Sequence, residues 1–288
     1  MGLDVALIKQ LRERTGAGMV DCKKALEANN NDVEAACDWL REKGIAKAAK
    51  KSSRIAAEGT TSVVVDGNKA IIIEVNSETD FVAKSDAFKA LVDEVSKLLL
   101  DKNAASLEEA KELTAELFTN ATVKIGEKLD LRRFEIVTKQ DTQTFGKYIH
   151  MGGKISVLTL LEGDHLEAAN GLAMHIAANK PLYITTEEIP AEAIANETAI
   201  QMEASKSDEK LASKPANVIE NIIKGKVSKY FAESVLVEQE YLLEPGTKIG
   251  VYLKNNHLTI DKFIRFETGE GLAKRVENFA EEVQKQMQ

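Results

Sequence analysis

Apolar residues at helical spacing dominate the first forty positions of the chain. Between Asp4 and Leu40 they recur three or four residues apart and predict three short helices. Asp32 is expected to cap the third helix, and Gly44 is expected to end it. Residues 45–54 are basic and poor in large apolar side chains, which is typical of a linker. The pattern therefore predicts a compact three-helix module followed by a solvated tether.

Beyond residue 60 the apolar period changes from helical to alternating. Alternation on both sides of residues 66–68, Asp-Gly-Asn, predicts a β-hairpin. Ser85 or Asp86 is placed to cap the helix that follows the hairpin. The elements predicted here are strands at 61–65, 70–75 and 131–138 and helices at 86–99 and 107–125. Together they predict a sheet with helices on one face.

The order of strand, turn, strand and helix recurs after residue 140 and indicates an internal structural repeat. A helical hairpin is predicted as an insertion at 190–231, where Pro215 suits the first turn of the second helix. The other elements predicted here are strands at 145–150, 155–161, 235–243, 247–254 and 259–267 and helices at 166–179 and 272–288.

The predicted fold class is α+β, with two related core subdomains that each contain an antiparallel sheet. The predicted boundaries are a helical module with its linker at 1–55, a core subdomain at 56–140, a second at 141–267 that contains the hairpin at about 190–231, and a C-terminal helical module at 268–288.

Composition and charge exclude several classes of partner. The 288 residues include 38 Lys and Arg against 46 Asp and Glu, a net charge of −8 that repels phosphate backbones. The basic tether lacks aromatic residues for base stacking, so we expect no direct nucleic-acid partner. No apolar run approaches the roughly 20 residues of a membrane helix, and no signal-peptide pattern is present. With Cys22 and Cys37 as its two cysteines, the sequence predicts a soluble cytoplasmic protein with free thiols and no membrane partner.

Motifs for nucleotide binding, metal binding and covalent catalysis are missing from the sequence. There is no GxxxxGK[ST] loop, and Asp21 stands where a GxGxxG motif would need glycine. Neither a GxSxG elbow nor an activated cysteine occurs. The histidines show no zinc-type spacing with the cysteines; they are His150, His165, His175 and His257. We therefore expect no enzyme, with no catalytic residue, no cofactor and no bound metal.

One polar stretch has two interpretations. The side chains that alternate along the strand after Ile73 are Glu74, Asn76, Glu78 and Asp80. They suit acid–base catalysis or a divalent cation, but a solvated strand face is the favoured interpretation. Phe81 follows directly and is either a binding anchor or a lid on its own core.

Two long motifs resemble the elongation factor Ts family. Residues 11–26 read LRERTGAGMVDCKKAL, and residues 74–84 read EVNSETDFVAK. Val20 replaces a more usual methionine, and Ser77 stands where cysteine is common. Further similar motifs, in family order, lie at 124–127, 132–133, 173–178 with Pro181, 214–215, 263–266 and 269–271. Residues 237–242 depart from the family pattern, which puts the local strand geometry in doubt.

The resemblance implies a guanine nucleotide exchange factor for the GTPase elongation factor Tu. The first module would be ubiquitin-associated-like and would dock on the GTPase domain. Phe81 would wedge between partner helices, and Asp80 would disturb the hydrogen bonds that support the partner's Mg²⁺. The residues implied in Mg²⁺ displacement are Thr79, Asp80, Phe81 and Val82, and further contacts are Ile125, Gly126 and His150. The stoichiometry stays open, including a homodimer or a 2:2 complex.

Two alternatives come from other classes of protein. A metal-dependent enzyme would use Glu74, Glu78 and Asp80, and measurements of bound metal and turnover would reveal it. A ubiquitin-associated-type adaptor would need only residues 1–55, which truncation would test.

Overall fold

The computed structural model describes residues 5–206 and 215–273 of the chain. Helices and two small antiparallel sheets make up these residues, so the predicted α+β class is confirmed. The helices are α1 Val5–Thr15, α2 Met19–Ala28, α3 Val33–Lys51, α4 Asp80–Lys84, α5 Asp86–Lys102, α6 Leu107–Ile125, α7 Leu166–Asn179, α8 Ala191–Lys206, α9 Ala216–Ala232 and α10 Ile249–Asn255. The strands are β1 Glu58–Asp66, β2 Lys69–Ser77, β3 Asp130–Thr138, β4 Gln143–His150, β5 Ile155–Glu162 and β6 Ile260–Glu267.

The first three helices pack around a small apolar core, as predicted. Leu11 from α1, Leu26 from α2 and Leu40 from α3 are buried together in it. Asp32 caps α3, because its Oδ1 accepts hydrogen bonds from the amides of Glu34 and Ala35 at 2.9 and 3.1 Å. Both cysteines are free thiols.

The end of α3 differs from the prediction. The helix does not stop at Gly44 but continues to Lys51, so residues 45–51 are helical and not a linker. The alanine and lysine residues after Gly44 favour a helix. Gly44 instead permits close packing on α6, since a Cβ atom there would lie 2.7 Å from Val123 Cγ2. A glycine is required here because it has no side chain, and not because the backbone is left-handed.

The first sheet has the order β1-β2-β3 and is antiparallel throughout. Its hairpin turns at Gly67, whose φ of +57° suits glycine. Helices α5 and α6 begin at capping serines, Ser85 and Ser106. Apolar residues of β2, β3, α5 and α6 form one buried core. This core fixes the C-terminal end of β2, from which the candidate site projects.

The described residues form two compact units. The first comprises 5–138, 149–156 and 266–273, and the second comprises 139–148, 157–206 and 215–265. The second sheet has the order β4-β5-β6. Helices α8 and α9 pack against each other, and the turn predicted between them lies outside the described residues. Across 5–206 and 215–273, no helix combines the length and apolar character needed to cross a bilayer.

Two strands predicted in the second unit are wrong. Residues 235–243 contain a short 3-10 helix, Leu236–Glu238, and most of residues 247–254 lies in α10. The buried residues of α10 are Ile249 and Leu253, four apart, which is helical spacing. The turn predicted at Pro245-Gly246 is present, with a φ of +85° at Gly246. The predicted helix at 272–288 lies outside the described residues apart from its first two.

A buried histidine links this irregular segment to α7. The amide of Leu242 donates to His175 Nδ1 at 3.2 Å, which places the ring proton on Nε2, 2.9 Å from Gln239 Oε1. Asn179 Nδ2 also lies 3.0 Å from Nδ1. Burial lowers the pKa of His175, because a second ring proton would face these donors in a desolvated site.

We predict that His175 makes the folded protein less stable in acid. Below its unfolded-state pKa of 6.5 the unfolded chain binds a proton that the folded chain does not. The free energy of unfolding should therefore fall by up to about 1.4 kcal/mol per pH unit as the pH drops below this value. Urea unfolding at pH 7.5, 6.5 and 5.5, followed by circular dichroism, measures it.

The variant His175→Gln should have lower stability at every pH but a shallower loss in acid. The exposed His257→Asn variant should keep near-wild-type stability at pH 7.5, since asparagine tolerates the positive φ of 54° at this position. Identical pH profiles for His175→Gln and wild type would contradict this role.

Candidate protein-binding site

The short helix α4 presents an aromatic side chain to solvent. It begins directly after β2, where Thr79 Oγ1 accepts a hydrogen bond from the amide of Val82 at 3.4 Å. Val82 and Ala83 pack against the core of the first unit. Phe81 therefore points away from the core and is 82% exposed. Of its two interpretations, the core lid is wrong, and the side chain is available as an anchor.

Asp80 begins α4 and is negatively charged at neutral pH. Its carboxylate lies 2.5 Å from Lys84 Nζ, one helical turn away. The hydrogen bond from Lys84 lowers the pKa of Asp80, and the positive charges of Lys84 and Lys154 add to the effect. An acceptor group therefore stands beside the exposed phenyl ring.

Glu127 connects the end of α6 to the start of α4. Its Oε2 accepts hydrogen bonds from the amides of Glu78 and Thr79 at 3.1 and 3.0 Å, and its Oε1 accepts from Thr79 Oγ1 at 2.6 Å. Gly126 ends α6 with a φ of +90°, and Ile125 packs against the core. Glu127 thus connects the end of α6 to the turn that begins α4.

Glu78 is held from the other side. Arg54 Nη1 lies 3.2 Å from both of its carboxylate oxygens, and the amide of Lys128 donates to Glu78 Oε1 at 2.6 Å. Lys128 Nζ in turn donates to the carbonyl of Arg54 at 2.9 Å. The turn before α4 is therefore fixed by two loops, the one between α3 and β1 and the one between α6 and β3.

The loop that begins at His150 docks on β1. The carbonyl of Gly153 accepts from the amide and the hydroxyl of Thr61 at 2.7 and 2.8 Å. Lys154 Nζ binds Glu58 at 2.7 Å, and Glu58 pairs with Ser77 across the sheet. Lys154 and Glu58 therefore lie at the end of the sheet from which α4 departs.

The polar face of β2 is buried, contrary to the favoured interpretation of a solvated face. Glu74 is 0% exposed and Asn76 is 2% exposed. Arg132 Nη1 and Arg133 Nε lie 2.8 and 2.7 Å from the two oxygens of Glu74. The strand register shifts here, since Glu74 pairs with Arg133 while Val75 pairs with Leu131. This bulge interrupts the alternation of β3 and lets two consecutive arginines reach one carboxylate.

The same carboxylate binds the segment after β6. The amide of Gly269 donates to Glu74 Oε1 at 2.8 Å. Arg133 Nη2 donates to the carbonyl of Glu267 at 3.1 Å, and its guanidinium carbon lies 4.2 Å from the centre of the Phe266 ring. Glu74 therefore joins β2, β3 and residues 266–270 through a single buried charge.

The carboxylates proposed for a metal-dependent enzyme have separate cationic or amide partners. Glu74 binds arginines, Glu78 binds Arg54, and Asp80 binds Lys84. Within the described ranges, 5–206 and 215–273, no three His, Cys, Asp or Glu side chains are grouped so as to hold a metal ion. The geometry gives no support to that alternative.

Sequence reasoning missed the two carboxylates that hold this region together. Glu127 lies in the motif at 124–127, but that motif assigns it no role. No local pattern shows that it reaches Thr79, 48 positions away. The sequence does contain a signal that Glu74 is buried and paired. Glu74 interrupts the apolar run of Ile73 and Val75, and a charge inside a buried strand requires a buried partner.

An exposed phenyl ring on a short, capped helix is typical of a protein-binding surface. Comparisons with known proteins agree with this class. The family model for Elongation factor TS matches residues 78–270, and that for Elongation factor Ts, mitochondrial, N-terminal, matches residues 2–49. An Elongation factor Ts of Acholeplasma laidlawii (strain PG-8A) is 47% identical over 294 residues, covering 100% of this chain and 99% of that protein. The chain belongs to the elongation factor Ts family.

We predict that Glu74→Gln lowers the free energy of unfolding by about 3 kcal/mol. The substitution keeps the shape of the side chain but removes the negative charge that Arg132 and Arg133 share, while Arg133 retains its longer pair with Glu270 at 3.3 Å. The two arginine side chains are 20% and 30% exposed, so water compensates in part, and the loss stays at the lower end for a buried pair. Equilibrium urea unfolding measures it.

The matched control is Asp93→Asn, which breaks the exposed pair with Lys97 in the same unit. Its expected effect is below about 0.5 kcal/mol. Equal effects from the two substitutions would mean that the buried network contributes no more than a surface pair.

Proposed function

We propose that this protein is the guanine nucleotide exchange factor for elongation factor Tu and that it promotes GDP release during translation elongation. Membership of the elongation factor Ts family and 47% identity over the full chain to a curated member support this function. Such a factor binds its partner and shifts an equilibrium. It therefore needs no catalytic acid, base or nucleophile, and none is assigned here.

The observation that carries the proposal is the exposure of Phe81 on a fixed helix. At 82% exposure Phe81 is the most exposed large apolar side chain in residues 5–206 and 215–273, and large aromatic side chains are common anchors of protein interfaces. The contacts of Val82 and Thr79 hold the backbone that carries the ring, so little backbone freedom is lost on binding. In this proposal Phe81 inserts between helices of the partner's GTPase domain.

The chemistry of release follows from how a GTPase holds GDP. Backbone amides of its phosphate loop and a Mg²⁺ ion neutralise the phosphate charge. In our proposal Asp80, kept charged by Lys84, competes for the hydrogen bonds that support the metal. Displacement of Mg²⁺ removes electrostatic stabilisation of the bound phosphates, and the nucleotide then dissociates faster. Thr79 and Val82 fix the helix that carries both groups.

Further contacts with the partner complete the proposal. Ile125, Gly126 and His150 contact elongation factor Tu, as the family motifs imply. The first three helices act as a ubiquitin-associated-like module that docks on the GTPase domain. Met19 and Val20, which are 60% and 65% exposed at the start of α2, offer an apolar surface for that contact. The working complex is 1:1 or 2:2, with the hairpin of α8 and α9 available for self-association.

Replacing Phe81 by alanine should abolish exchange without unfolding the protein. An exposed anchor contributes about 2 kcal/mol or more to binding, which corresponds to a loss of roughly thirtyfold or more in exchange efficiency. Stability should change by less than about 0.5 kcal/mol, since the ring has no core to leave. The measurement is the release of labelled GDP from elongation factor Tu, with urea unfolding in parallel.

Phe88 provides a matched control because it is 0% exposed in the core of the same unit. Phe88→Ala should lose about 3–5 kcal/mol of stability. If Phe81→Ala instead behaves like Phe88→Ala in unfolding and like wild type in exchange, the anchor role is wrong.

A further inference from the structure

We propose that Glu127 is a positioning residue that fixes α4 and thereby the direction in which Phe81 and Asp80 are presented. The effect on GDP release rests on the proposed function, whereas the positioning of α4 by Glu127 rests on geometry alone. One half-buried carboxylate meets both the backbone and the side chain of the residue that caps α4.

The contacts of Glu127 form a short relay into the first turn of α4. Its Oε1 accepts the hydroxyl proton of Thr79 at 2.6 Å. With that proton committed, the remaining lone pairs of Thr79 Oγ1 are free to accept the amide of Val82 at 3.4 Å. The orientation of the threonine cap is therefore set by the carboxylate.

The second oxygen of Glu127 acts on the turn before the helix. It accepts from the amides of Glu78 and Thr79 at 3.1 and 3.0 Å. Hydrogen bonds from amides to an ionised carboxylate are stronger than bonds between neutral groups. Glu78 reciprocates, since its own Oε1 accepts from the amide of Lys128 at 2.6 Å. The two chain segments thus exchange carboxylate-to-amide bonds in both directions.

Helix α4 needs this support because of its length. A helix of five residues is not stable by itself in water and adopts its orientation from tertiary contacts. Val82 and Ala83 hold one side of α4 on the core, and Glu127 holds its N-terminal end. Without Glu127, the freed amides would turn to water, and Phe81 would sample more directions. Binding would then have to order the ring, which costs affinity or rate.

The position of Glu127 is in turn fixed by the end of α6. Gly126 adopts a φ of +90° and directs the chain from the helix into the turn that carries Glu127. Lys51 Nζ donates to the carbonyl of Gly126, so the last turn of α3 also contacts this loop. The loop is therefore restrained from both sides before it meets α4.

The first test measures hydrogen exchange of residues 78–84 in the protein alone. Glu127→Ala should raise the exchange of these amides at least tenfold, while the core amides of α5 keep wild-type protection. Glu112→Ala is the matched control, since it removes an exposed carboxylate from α6, the helix that precedes Glu127. Wild-type protection of residues 78–84 in Glu127→Ala would overturn the proposal.

The second test measures GDP release from elongation factor Tu as a function of exchange-factor concentration. Glu127→Ala should lower the rate at saturation about tenfold and change the half-saturating concentration less, because docking through the first module is untouched. Glu127→Gln should be intermediate, since an amide has one acceptor oxygen for two sets of donors. Thr79→Ser should keep near-wild-type rates, and Thr79→Val should resemble Glu127→Ala.

The double variant Thr79→Val with Glu127→Ala distinguishes a shared relay from two separate effects. Its rate of GDP release should match that of the worse single variant, because both substitutions break the same chain of hydrogen bonds. Additive effects would overturn the relay. If hydrogen-exchange protection falls but GDP is released at the wild-type rate, the positioning role is overturned while the nucleotide-exchange function stands. If the wild-type protein itself fails to accelerate GDP release, the proposed function is overturned, and hydrogen exchange still decides whether Glu127 holds α4.

Discussion

One buried negative charge sets the geometry of the first unit. Glu74 is fully buried and binds Arg132, Arg133 and the amide of Gly269 at 2.7–2.8 Å. A buried carboxylate is costly unless it is paired and hydrogen-bonded, so its partners must be held in place for the fold to be stable. The strand bulge at Arg132 meets that demand by bringing two arginines to one face. The chain before β3 and the chain after β6 are joined through this group.

The position of α4, just beyond the buried end of β2, depends on that rigid base. The strand that contains Glu74 leads within five residues to Thr79, where Glu127 accepts three hydrogen bonds. Glu74 and its partners fix the sheet, and Glu127 accepts the hydrogen bonds of the amides just before α4. The direction of α4 is therefore fixed. An exposed Phe81 can then serve as a pre-ordered anchor, which is the property a nucleotide exchange factor needs if it is to deform its partner and not itself.

Local pattern predicted most of the fold but left open whether Phe81 is buried or exposed. The helices, the first hairpin, the helical hairpin and the cap at Asp32 depend on neighbours within a few residues, so periodicity and turn residues suffice to find them. Three of the failures involve contacts distant in sequence, whereas the strand predicted at 247–254 is a helix whose buried residues have a local helical spacing. Gly44 has the local signal of a helix end, because its contact with Val123 on α6 is not visible in the nearby sequence. The buried state of Glu74 and the reach of Glu127 are decided by the register of β3 and the end of α6, which no single segment encodes.

The central claim is that binding this protein and binding GDP oppose each other on elongation factor Tu. Linkage requires the effect to be reciprocal: if this chain weakens GDP by some factor, GDP weakens the complex by the same factor. Calorimetric titration should measure the affinity of this protein for elongation factor Tu without nucleotide, with GDP, and with GDP and excess Mg²⁺. We expect the affinity to fall in that order. Equal affinities under the three conditions would show that the chain only docks on the GTPase, and would contradict the roles given to Asp80 and Phe81.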